Sequence, residues 1–183
     1  EEQEMKQKLK LALVGAGERG QYCYAPYAKM HGYEIEFVAV ADPHKGRREK
    51  FVQDYHVPAE GVFETAEQFF ARPRMADAVL ICTQDSQHYA YACQAIDLGY
   101  SILLEKPISP SVRECLDLQR RAEEKGTQIM VCHVMRYTKF YRKLKELIDS
   151  GVIGDVVHVT HTENVAYWHY AHSYVRGNWH KTA

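Results

Sequence analysis

Short apolar runs recur along the chain, and stretches with helical spacing separate them. Leu9 to Val14, Ile35 to Ala41, Ala78 to Thr83, Ser101 to Glu105 and Gln128 to His133 read as strands. They are nearly continuous in apolar residues rather than alternating, as in strands of a sheet covered on both faces. Between them the spacing is helical. Phe51, Val52 and Tyr55 share a face within His44 to Tyr55, and Thr65 is placed to cap a short helix from Ala66 to Ala71. A polar loop, Gln84 to His88, leads into a helix that runs to Leu98 and stops at Gly99. Ser111 caps a helix to Lys125, stopped by Gly126, and Tyr137 to Ser150 is helical until Gly151 and Gly154 break it. Pro107 ends the fourth strand, because proline cannot continue a ladder.

Strand–helix alternation of this kind predicts an α/β fold with a doubly wound parallel sheet. The pattern changes near residue 150. Asp155 to Val165 reads as a strand whose apolar Val157 and Val159 alternate with polar His158 and Thr160, as in a sheet with one wet face. We expect a first domain over residues 1–135 and the start of an incomplete second α/β domain over 136–183. The run from Tyr167 to Trp179 is rich in aromatic residues and has no clear period.

The first segment carries candidate chemistry. After Leu9 to Val14 come Gly15-Ala16-Gly17-Glu18-Arg19-Gly20, a helix, the second strand and then Asp42, 22 positions past Gly20. A strand, a G-x-G-x-x-G turn, a helix, a strand and an acidic residue form a dinucleotide-binding fingerprint. Gly15 permits the tight turn, Gly17 lets backbone approach a pyrophosphate, and Gly20 lets helix and strand pack closely. The helix N-terminus offers unpaired N–H groups to phosphate. A carboxylate at Asp42 can accept hydrogen bonds from both ribose hydroxyls and repels a 2′-phosphate, which favours NAD. Arg47 and Arg48, a turn further on, can instead attract that phosphate or stack on adenine, so NADP stays open. The other reading of Asp42 is a turn residue before Pro43.

Composition narrows the rest. In 183 residues, 46% are hydrophobic and 26% charged, with a net charge of −1. That balance argues against nucleic acid or an acidic membrane as a partner. No apolar run approaches a membrane span, and the polar start Glu1 to Lys6 lacks a signal core, although a signal already removed stays open. Cys23, Cys82, Cys93, Cys115 and Cys132 are odd in number and lack a C-x-x-C pair, as in reduced thiols of a cytoplasmic protein. Ten histidines raise the question of a metal. His158 and His161, three apart on a strand, point to opposite faces and cannot chelate one ion together, so no metal site is expected.

With the glycine turn, Asp42-Pro43, Thr83 to His88, Glu105-Lys106-Pro107 and Gly151-Val152-Ile153-Gly154-Asp155, the chain resembles the Gfo/Idh/MocA oxidoreductases from about Lys8 to Trp179. The resemblance implies a Rossmann domain carrying NAD or NADP. It also implies a second domain whose open sheet binds a sugar or polyol and builds a homo-oligomer through its strand. It makes Lys106 a catalytic and substrate-binding residue and brings Arg136, where the first domain turns toward the second, to the substrate. Gly15, Gly17, Glu18, Arg19, Gly20, Asp42, Thr83, His88 and Glu105 are then cofactor contacts, with His88 approaching the nicotinamide side. Lys106 has a physical case of its own: at the C-terminal end of a parallel strand, its ammonium can hydrogen-bond a substrate hydroxyl and favour the ionised form. The helix with an Asp and a His about four apart, which supplies the family's proton-transfer partner, does not follow Gly177 to Ala183.

We therefore read a truncated NAD(P)-dependent sugar or polyol dehydrogenase that keeps cofactor affinity and has lost most activity. Two further readings remain. One is a non-catalytic NAD-binding module, a sensor or assembly partner. The other is an NAD-dependent glycoside hydrolase of the same family.

Overall fold

The structure, a computed structural model, describes residues 7–177. The polar start read as lacking a signal core, and Trp179 and His180 at the other end, lie outside the described residues. The chain divides into two compact units between Val134 and Met135.

The first unit is built on six strands, β1 (Leu9–Val14), β2 (Ile35–Ala41), β3 (Val62–Phe63), β4 (Ala78–Ile81), β5 (Ser101–Leu104) and β6 (Ile129–Val131). They pair in parallel in the order β3-β2-β1-β4-β5-β6, the doubly wound dinucleotide-binding order. Successive side chains of a strand point to opposite faces, and β1 shows the consequence. Leu11 and Leu13 join one buried cluster with Phe37, Val40 and Phe51, while Ala12 and Val14 join another with Phe69, Ile96 and Tyr100. Helices α1 (Pro26–Met30) and α2 (Lys45–Tyr55) supply the first cluster; α3 (Ala66–Phe70), α4 (His88–Asp97) and α5 (Val112–Lys125) supply the second. Both faces are covered, which is why the strands lack alternation.

Capping fixes the helix starts. Thr65 Oγ1 accepts the N–H of Gln68 at 3.2 Å, and Ser111 Oγ accepts that of Glu114 at 3.5 Å. The helix after the glycine turn is not uniform. Glu18–Tyr24 is π-type and hands over to α1 at Pro26, whose missing N–H is tolerated at a helix start. The two-residue β3 carries too few positions to show in the hydrophobic pattern.

The second unit holds α6 (Lys139–Asp149), capped by Thr138, and the short α7 (Tyr167–Tyr170) within the aromatic run. The strand expected over 155–165 is not formed. A strand exists through ladder bonds to a neighbour, and the described residues of this unit offer none. The opposite-face placement of His158 and His161 loses its structural basis. His158 Nε2 lies 3.1 Å from Thr160 Oγ1. Among the described residues no group of three or more His, Cys, Asp or Glu is gathered as metal ligands, and no helix is long and apolar enough to cross a membrane.

Candidate functional site

Parallel register brings the C-terminal strand ends to one edge. Val14 pairs with Ala41 and with Ile81, Ile81 with Leu104, and Leu104 with Val131. Gly15, Asp42, Cys82, Glu105 and Cys132 therefore leave the sheet side by side. Strand order reverses between β1 and β4, and ligands of open α/β sheets bind in the crevice there.

The glycine turn follows β1. Gly15 has φ +95°, and a Cβ there would lie 2.5 Å from the carbonyl oxygen of Cys82. At Gly20 a Cβ would overlap the Gly15 carbonyl oxygen and press on the Leu13 side chain, so the helix packs tightly on the turn and on β1. Above Gly17 the space is open; a Cβ would meet only Arg47 Nη1, at 3.9 Å. Gly17 starts the helix without a side-chain cap, which leaves the first N–H groups for a ligand. Glu18 and Arg19, inside the turn, are exposed.

Asp42 is buried beneath this turn. Its Oδ2 accepts the N–H of Ala16 at 2.8 Å and its Oδ1 accepts that of His44 at 2.8 Å. Each oxygen keeps a further lone pair for a hydroxyl. The two arginines separate. Arg48 is buried and donates to the Asp42 carbonyl at 2.7 Å and to Glu64 at 3.2 Å, so it is not free to meet a phosphate. Arg47 alone reaches over the turn.

Across the crevice, Thr83 follows β4. Its Oγ1 is buried and has no hydrogen-bond partner among the described residues. His88 lies elsewhere than expected. It is 1% exposed, with Nδ1 2.7 Å from the Pro107 carbonyl and Nε2 3.2 Å from the Thr83 carbonyl. Its ring faces a protein carbonyl on each nitrogen, to one of which a neutral imidazole donates, so the side chain is held between two loops.

Glu105 is also turned inward, 6% exposed. Its Oε2 accepts the N–H of Lys106 at 2.9 Å, its Oε1 accepts the hydroxyl of Tyr24 at 2.5 Å, and Arg19 Nε stands 4.0 Å away. Burial, then hydrogen bonding to Cys132 and Glu105, pushes the Tyr24 phenol far above its ordinary value. Burial likewise raises the thiols of Cys82 and Cys132. For Arg19, burial opposes the charge, but Glu105 and Cys23 outweigh it and its pKa rises. Lys106 itself is exposed. Arg136 lies in the second unit.

Sequence reasoning missed Tyr24. It stands four residues beyond Gly20 but 81 from Glu105, and no local periodicity encodes such a contact. Gln21 was missed as well; it is 3% exposed and its Nε2 lacks a partner among the described residues.

The residues present fit a dinucleotide. The open approach at Gly17, the uncapped helix start and the orphaned Thr83 hydroxyl offer small donors along the crevice, and Asp42 supplies an acceptor beside it.

Comparison with known proteins agrees. The pattern of the Gfo/Idh/MocA group, "Oxidoreductase family, NAD-binding Rossmann fold", matches residues 9–133. An inositol 2-dehydrogenase of Pseudomonas syringae pv. syringae (strain B728a) is 32% identical over 157 residues, 84% of this chain and 46% of its own length. The chain thus spans about half the length of the curated relatives it matches. Among solved structures, apo scyllo-inositol dehydrogenase from Lactobacillus casei superposes with a TM-score of 0.74 at 22% identity, covering 82% of this chain and 44% of its own. WlbA dehydrogenase from Bordetella pertussis, in complex with NADH and UDP-GlcNAcA, gives 0.73 at 20% identity, covering 81% and 44%. These two likenesses show the fold.

Proposed function

The chain belongs to the Gfo/Idh/MocA oxidoreductase family, and on that premise we propose that it serves NAD-dependent oxidation of a sugar or polyol hydroxyl, with Lys106 at the reacting carbon. The observation that carries this reading is the place of Lys106. It is exposed at the C-terminal end of a parallel strand, among the strand ends where such sheets take ligands. The 32% identical inositol 2-dehydrogenase supports a polyol as substrate class.

The cofactor, when bound, supplies hydride acceptance at its nicotinamide ring. The chain's own residues bind and orient. The N–H groups after Gly17 would hold the diphosphate, Asp42 would accept the adenosine ribose hydroxyls, and Thr83 would donate toward the nicotinamide half. Asp42 favours NAD over NADP, since its carboxylate repels a 2′-phosphate and Arg48 is engaged with the Asp42 carbonyl and Glu64. The Lys106 ammonium donates to the substrate hydroxyl oxygen and favours its ionised form. Glu105 and His88 hold the backbone on either side of Lys106.

The test is to follow reduced nicotinamide absorbance with NAD and a panel of inositols and sugars, for the native chain and Lys106→Ala. The reading expects NAD to bind both proteins alike, and turnover of the native chain to fall by about 10²–10⁴-fold in the variant. Turnover indifferent to the substitution contradicts the role of Lys106. NAD binding without turnover of any polyol contradicts the claim that this chain works as an enzyme alone, and turnover of any polyol contradicts the module reading.

A further inference from the structure

We propose that Tyr24 is a positioning residue for Lys106, acting through Glu105, and that it links the phosphate-binding turn to the reacting end of the site. The inference rests on the function proposed above. Glu105 closes β5: its N–H donates to the Ile81 carbonyl at 3.0 Å, which fixes its main chain to β4. Its carboxylate is then a bridge. One oxygen holds the N–H of Lys106, and so the peptide plane that carries the Lys106 side chain; the other is held by the Tyr24 hydroxyl.

Tyr24 ends the helix that starts at Gly17. The Gln21 N–H donates to the Gly17 carbonyl at 2.9 Å and the Ala25 N–H to the Gly20 carbonyl at 3.0 Å. A short hydrogen-bonded helix therefore runs from the glycine turn to the phenol. On the far side of Lys106, His88 grips the Pro107 carbonyl, so the Lys106 backbone is clamped between two elements. A buried carboxylate does not stay unpartnered. Without the Tyr24 hydroxyl, the remaining partner for Oε1 is Arg19, now 4.0 Å away. Turning toward it draws Oε2 off the Lys106 amide and frees the loop.

The test combines amide hydrogen exchange in the ligand-free protein with calorimetry. Tyr24→Phe removes one hydroxyl, and Glu105→Gln leaves a single acceptor oxygen for two donors. Tyr22→Phe, an exposed phenol on the same helix, is the control. Losing a hydrogen bond to a charged group predicts about tenfold faster exchange at the Lys106 amide in both variants, with Leu104 and the control unchanged. NAD and ADP should bind Tyr24→Phe as they bind the native chain, while polyol turnover falls about tenfold with the KM for NAD unchanged. Unchanged exchange at Lys106 overturns the proposal, as does weakened binding of both NAD and ADP, the sign of a hydroxyl that serves structure only. If the native chain binds no NAD while Tyr24→Phe still frees the Lys106 amide, the proposed function falls and the positioning role stands.

Discussion

The Asp42 carboxylate accepts the backbone N–H of Ala16 at 2.8 Å, so the end of β2 holds the turn that follows β1. One side chain thereby shapes the phosphate-binding turn and stands ready for a ribose. Asp42→Ala strips acceptors from two N–H groups, those of Ala16 and His44. At ~1–3 kcal/mol for each donor left unpaired, stability should fall by a few kcal/mol. NAD should bind more weakly and the preference over NADP should narrow. Urea unfolding and paired titrations of the two cofactors check both effects; unchanged selectivity removes the ribose contact.

Gly15→Ala should cost more than an ordinary surface change. The left-handed backbone costs ~1–2 kcal/mol for an L-residue, and the new Cβ would sit 2.5 Å from the Cys82 carbonyl. Relief of that overlap has to move β4 or the turn, so cofactor binding should be lost along with stability. Thermal unfolding with and without NAD measures both.

His88 separates a structural role from ligand contact. As a fully buried ring bridging Thr83 and Pro107, it should cost ~2–5 kcal/mol when cut to alanine. A surface residue that touched only cofactor would shift stability by less than ~0.5 kcal/mol. Denaturant melts of His88→Ala decide between them.

Acid stability should depend on Asp117. Hydrogen bonds from Tyr89, Arg120 and Arg121 hold its carboxyl well below the ordinary 3.8. The folded state thus keeps the carboxylate charged at a pH where the unfolded chain takes up a proton. The contribution is complete above about pH 5 and is lost progressively as pH falls through the unfolded value toward the lower folded one. Asp117→Asn should lower the urea midpoint at pH 7 and flatten its decline between pH 5 and 3, relative to the native chain.

The first βαβ unit was legible because its signals are local. Strand, glycines, helix and Asp42 follow one another within Leu9 to Asp42, and Gly15 and Gly20 answer steric needs the structure displays. Caps at Thr65 and Ser111 were legible for the same reason. What stayed hidden depends on distant partners. Tyr24 and Glu105 meet only after the sheet has assembled, and His88 turns inward because two carbonyls from separate loops converge on it. The expected strand at 155–165 had the right alternation, but alternation records a face, and the ladder needs a neighbour that the described residues do not supply.

The most direct measurement is calorimetric titration of NAD and NADP into the folded protein. The account predicts saturable binding of NAD with one site per chain and weaker binding of NADP. No heat with either cofactor, from protein shown to be folded by its circular dichroism, would contradict it.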